Sequence, residues 1–143
     1  MSEKIAYAHW KGRIQRPLDR IERIENVVGI GTPDINYCIE GKEGWIELKQ
    51  PTEPKKDTTP LFGSNHKLSQ GQKNWFLRQF RAKGRGHILI ATDKRWILIS
   101  GALADHVNEM TVSDLVENSQ WSTMNPVKEE QWGYLREILT KEK

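Results

Sequence analysis

Between Asp34 and Gln50 the chain reads DINYCIEGKEGWIELKQ, and its alternation leaves few folds open. In the first half Ile35, Tyr37 and Ile39 fall on one side of an extended chain, with Asp34, Asn36, Cys38 and Glu40 on the other. In the second half Ile46 and Leu48 oppose Trp45, Glu47 and Lys49. A period of two belongs to strands, whose successive side chains point to opposite faces. Two such segments around a glycine predict a hairpin, with Gly41-Lys42 as its turn because a II′ turn prefers glycine first. That register sets Asn36 against Glu47 and Asp34 against Lys49, with Asp34 diagonal to Glu47 at roughly 7–8 Å. All the apolar residues then share one face, and Asp34, Glu47 and Lys49 share the other.

The rest of the chain predicts a mixed α/β domain around a central sheet. Residues 3–22 read as helix interrupted by Gly12 and Pro17. Residues 23–29 and 34–40 read as strands, and 45–50 as a third. A long polar loop over 51–67 follows, then a helix from Ser69 to about Lys83 with Trp75, Phe76 and Phe80 as its buried face. Residues 87–92 and 96–100 predict a second hairpin around Asp93-Lys94. Two helical stretches close the chain at 102–118 and 127–142, the last capped by Asn125 with Pro126 in its first turn. A length of 143 residues suits a single domain, with a core over about 20–100 and a C-terminal helical elaboration over 102–143.

Composition removes some function classes. No apolar run approaches the roughly 20 residues of a membrane span. The opening MSEKIAYAHW lacks the apolar stretch of a secretion signal, which predicts a cytoplasmic protein. Cys38 is the sole cysteine, excluding an internal disulfide and a cysteine-rich zinc site. The four histidines, His9, His66, His87 and His106, have no metal-ligand spacing. A net charge of +3 permits nucleic acid as a partner without demanding it.

Chemistry therefore rests on the polar face of the hairpin. Two carboxylates reaching inward can hold one cation, and an all-oxygen set suits Mg²⁺ or Mn²⁺. A magnesium-held water becomes a nucleophile at lowered pKa. Lys49 would hold that water or stabilise charge developing on phosphate. The same three residues also suit a solvated sheet face on which Lys49 neutralises its neighbours, and alternation alone does not separate the two readings.

The spacing Pro33-Asp34…Glu47-Leu48-Lys49 resembles the signature of the PD-(D/E)XK nuclease superfamily. The wider stretch RIENVVGIGTPDINYCIEGKEGWIELK is similar to small phage and bacterial nucleases of the VRR-NUC type, with an upstream acid, a glycine-rich approach to Pro-Asp and an aromatic before Glu-x-Lys. Leu68-Ser69-Gln70-Gly71-Gln72-Lys73-Asn74-Trp75 resembles the family's LSxxQxxW helix. The similarity spans about residues 20–92.

The resemblance implies a restriction-endonuclease-like αβββαβ core. It implies Asp34 and Glu47 as metal ligands, the backbone carbonyl of Leu48 as a further metal contact, and Lys49 at the attacking water. Glu25 would be the upstream acid, with Glu22 as its competitor. Gln72 would reach the site from the helix, although Ser69-x-x-Gln72 is also a capping box. Lys55, Lys56, Lys67 and His66, in or beside the loop after the third strand, are the expected DNA contacts. The implied activity is magnesium-dependent hydrolysis of DNA phosphodiesters in a bacterial or phage-infected cell, with branched or four-way-junction DNA as substrate, as in Holliday junction resolvases. Cutting both strands of a junction calls for two active sites, hence a homodimer. A sequence-specific homing or restriction-type endonuclease, and a catalytically silent DNA-binding protein, stand as alternatives.

Overall fold

The computed structural model describes residues 2–24 and 31–141. Its centre is a six-stranded sheet in the order β1 (Arg20–Arg23), β2 (Ile35–Ile39), β3 (Lys42–Lys49), β4 (Gly86–Ala91), β5 (Arg95–Ser100) and β6 (Trp121–Met124). Among the described strands β3 and β4 form the one parallel pair, and the connection between them carries helix α2 (Gln70–Arg81). The other pairs are antiparallel. Helices α1 (Glu3–Ile14) and α4 (Glu129–Leu139) bracket the chain, and α3 (Val112–Glu117) precedes β6. The first six elements follow the expected αβββαβ order, and the sheet flanked by helices is the mixed α/β architecture expected from sequence.

Both faces of the sheet are covered, so β4 and β5 read HILIA and WILI as nearly continuous apolar runs. Alternate residues feed two cores. Ala6, Trp10 and Ile14 of α1, spaced by one helical turn, pack with Trp132 and Leu135 of α4 on Ile35, Tyr37, Ile46, Leu48 and Leu89. On the opposite face Phe76 of α2 joins Leu61, Phe62, Ile88, Ile90, Ile97 and Leu115.

Several expectations change. The hairpin turn is Glu40-Gly41: both residues have positive φ, 52° and 78°, as a I′ turn requires, and Ile39 pairs with Lys42. The register is thus two residues off the predicted one, which preserves faces because side chains alternate with period two. Helix α1 stops at Ile14, and the chain turns before Arg20 to form a strand earlier than expected. Most of the strand predicted over 23–29 lies outside the described residues. The stretch 102–118 is broken into two 3₁₀ turns and the short α3. Asn125 caps no helix; its side-chain amide donates to the Thr92 and Asp93 carbonyls at 3.3 and 3.2 Å after β6, a strand the sequence did not announce. On α2 only Phe76 is buried, while Phe80 is half-exposed.

The loop over 51–67 is a packed strap. Pro51, Leu61 and Phe62 are buried, the Leu61 N–H donates to the Met110 carbonyl at 3.0 Å, and Glu53 accepts from Thr92 and Arg95. It leaves β3 just past Lys49 and ends at the start of α2, so both its ends adjoin the polar face of the hairpin.

Candidate active site

The I′ turn decides how the acids meet. Continuing the observed register by one step puts Asp34 directly across from Glu47, where cross-strand Cβ atoms lie about 4.5–5.5 Å apart. A backbone group joins the pair: the Leu48 N–H donates to Oδ1 of Asp34 at 3.1 Å. Lys49 stands on the same face, its Nζ 3.7 Å from Oε2 of Glu47. Glu47 and Lys49 expose only 10% and 13% of their side chains, which removes the solvated-face reading for these two.

Helix α2 supplies the next side chain. Ser69 caps it by accepting from the Gln72 N–H at 3.2 Å, and Oε1 of Gln72 accepts from the Ser69 N–H at 2.9 Å. The same amide donates from Nε2 to Oε2 of Glu47 at 3.2 Å. Capping and site contact therefore coexist in one residue. Two contacts hold the helix at this height. Trp45 of β3 packs edge-to-face on Trp75 of α2 with ring centroids 5.4 Å apart. Gly31, at φ +86°, lies so close to α2 that a Cβ there would fall 2.3 Å from the Gly71 carbonyl carbon. The aromatic before Glu-x-Lys, the glycine before Pro-Asp and the tryptophan of the helix thus serve one docking.

Glu3 is the site residue that sequence reading missed. It occupies the first turn of α1, whose cap Ser2 accepts from the Ile5 N–H at 3.2 Å. Its carboxyl comes within hydrogen-bonding reach of Asp34 and bears electrostatically on Glu47. It also pairs with Arg23 at 2.9 Å, and the Arg23 guanidinium lies 5.2 Å from the Tyr7 ring centroid. One acid at a helix start, thirty-one residues before Asp34, carries no local signal of its own; only the packing of α1 on the sheet brings it here.

Burial, repulsion by Glu47 and the approach of Glu3 hold the Asp34 carboxyl well above the usual carboxylate range. Burial also raises Glu47, with Lys49 opposing and Glu3 reinforcing the shift. Buried carboxylates that resist ionisation side by side form a site whose charge a cation would complete. The donors are all oxygen, which suits a hard divalent ion and not zinc. Among the described residues no three His, Cys, Asp or Glu side chains are gathered closely enough to hold a metal ion between them. Asp34 and Glu47 are the assembled pair, with Glu3 turned partly to Arg23. That count fits magnesium, which keeps several waters and takes few carboxylates.

The other expected residues are dispersed. Glu25 lies outside the described residues. Glu22, its competitor, is exposed on β1 and pairs with Arg20 at 3.5 Å. Lys67 is exposed and His66 half-buried beside the start of α2, whereas Lys55 and Lys56 line a cleft beyond the strap. Asn74, Arg78 and Arg81 form the exposed stripe of α2, away from Gln72.

No family model and no curated protein matches the sequence. The fold does have a solved counterpart, Hjc of Archaeoglobus fulgidus, a Holliday junction resolvase from an archaeal hyperthermophile. The two are similar with a TM-score of 0.52 over 82% of this chain and 90% of that one, at 12% sequence identity. The likeness is one of fold: a mixed sheet flanked by helices with the same overall course.

Proposed function

We propose that this chain is a Mg²⁺-dependent DNA endonuclease that hydrolyses phosphodiester bonds in branched DNA, with a four-way junction as its preferred substrate. The observation that carries the reading is the convergence of Asp34 and Glu47 with Lys49 and Gln72 on one sheet face, with Glu3 of α1 near Asp34. The fold likeness to a Holliday junction resolvase supports this choice of substrate class. Asp34, Glu47 and the Leu48 carbonyl would hold the cation, with Glu3 turning from Arg23 to join them. When bound, the cation lowers the pKa of a coordinated water and neutralises charge on the phosphate.

The chain's own groups do the rest. Lys49 donates to the attacking water or to a non-bridging phosphate oxygen, where its fixed charge counts most as negative charge develops. Gln72 and Lys49 both reach Oε2 of Glu47, at 3.2 and 3.7 Å, and together they hold the carboxylate in one orientation. Two junction strands need two such sites, and a twofold homodimer is the simplest assembly that provides them.

The test is to incubate the protein with four-way, flapped and linear duplex DNA in Mg²⁺ or in EDTA. Cutting of branched DNA in Mg²⁺ alone is the expected result. No cleavage of any substrate with any divalent metal overturns the nuclease reading, and a product at one fixed sequence in linear duplex replaces structure selectivity with sequence selectivity.

A further inference from the structure

A cleft of about 770 Å³ opens past the C-terminal ends of β3 and β4, between the first half of the strap, the β4–β5 turn and α3. We propose that this cleft binds the phosphodiester backbone of the DNA strand that flanks the scissile bond, an inference that rests on the nuclease reading.

The cleft has fixed walls. Glu53 of the strap accepts from Thr92 Oγ1 at 2.6 Å and from Arg95 Nε and Nη2 at 2.9 and 3.2 Å. This ion pair staples strap to turn and leaves Arg95 committed to Glu53. Lys55 and Lys56 on one wall and Lys94 on the other line the opening, and none of the three forms an ion pair among the described residues. Val112 and Val116 of α3 supply an apolar side. Asp57 and Glu117 also line the cleft, so it is not uniformly positive. A compact multivalent anion would meet those acids. An extended chain of single charges separated by sugars can place phosphates on the lysines and sugar faces on the valines.

Position supports the same occupant. Lys49 pairs with Ile90; Thr92 lies two residues beyond that rung and Glu53 four residues beyond Lys49. At about 3.3 Å per extended residue, the cleft begins no more than about 13 Å from Lys49. Phosphates of one strand rise by about 3.4 Å each, so the cleft meets a strand within about four phosphates of the metal site.

The experiment measures affinity for a four-way junction by fluorescence anisotropy over a range of salt, in Ca²⁺ or EDTA to prevent cutting. The proteins are the wild type, Lys94→Ala, the Lys55→Ala/Lys56→Ala double variant and Lys128→Ala, an exposed lysine before α4. The slope of log affinity against log salt should flatten by about 0.9 for each cleft lysine removed and stay unchanged for Lys128→Ala. Mn²⁺ affinity, read by calorimetry, should be the same in all four. Cleft variants with the wild-type slope, or a Lys128→Ala loss equal to theirs, overturn the cleft while leaving the nuclease reading standing. A wild type that binds no DNA at any salt removes both.

Discussion

Gln72 is held at both ends of its amide: the oxygen closes the capping box of α2 on Ser69, and the nitrogen donates to Glu47 at 3.2 Å. A helix terminus and a buried carboxylate are thereby fixed by one side chain, so two substitutions separate the roles. Gln72→Glu keeps a capping-box acceptor but sets a further carboxylate against Glu47. Stability to urea should hold, while junction cleavage falls by about 10–100-fold. Gln72→Ala should lose the same activity and also about 1 kcal/mol of stability. Equal activity in wild type and Gln72→Glu would remove Gln72 from the site.

The acids and the amine have separable effects. Asp34→Asn or Glu47→Gln should abolish cutting and spare junction binding, because each keeps shape and loses only a ligand charge. Glu3→Gln should weaken Mn²⁺ binding with an unchanged far-ultraviolet circular dichroism spectrum. Lys49→Ala should leave Mn²⁺ affinity largely intact and slow single-turnover cleavage by roughly 10²–10³-fold. An unchanged rate would exclude Lys49 from the chemistry.

Burial and neighbouring carboxylates raise Asp34 and Glu47 in the folded protein above their unfolded values. The folded state then holds more protons than the unfolded one above the ordinary carboxylate range, so metal-free stability falls as pH rises towards neutral. Metal binding requires those protons to leave. Melting curves should show Mg²⁺ stabilising the protein more at pH 8 than at pH 5, and calorimetry in buffers of different ionisation enthalpy should register proton release. A Mg²⁺ effect independent of pH would contradict both.

Away from the site, Arg136 of α4 forks onto Asp19, with Nη2 donating to Oδ1 at 2.9 Å and Nη1 donating to the Ile14 carbonyl at 3.0 Å. Both side chains are almost wholly buried, and the guanidinium holds the Asp19 carboxyl below its usual range. Arg136→Met leaves that charge buried alone and should cost about 3–5 kcal/mol in urea unfolding. Asp19 is depressed in the folded state, so the stability it contributes is present above the unfolded carboxylate range and lost as pH falls through its folded value. The acid limb of the stability profile should therefore shrink in the Asp19→Asn variant.

Much of this was legible in local pattern. Period-two alternation placed Asp34, Glu47 and Lys49 on one face, and that survived a register error because a two-residue slip conserves sidedness. The error came from the turn: Gly41 is at a left-handed position, but so is Glu40, and nothing in glutamate announces positive φ. Ser69-x-x-Gln72 announced a cap and hid its second partner, since Glu47 is distant in sequence. Glu3 was illegible for the same reason, and Lys94 was read as a turn residue. Strand β6 eluded detection because WSTM is short and lies at the edge of the sheet, where half-buried polar residues blur the alternation.

The central claim is that Asp34 and Glu47 hold a divalent cation, and Mn²⁺ titration of the metal-free protein by electron paramagnetic resonance tests it directly. The wild type should bind Mn²⁺, Asp34→Asn and Glu47→Gln should lose that binding, and Mg²⁺ should compete it away. A wild type that leaves all the Mn²⁺ free, or acid variants that bind it as tightly as the wild type, would contradict the account.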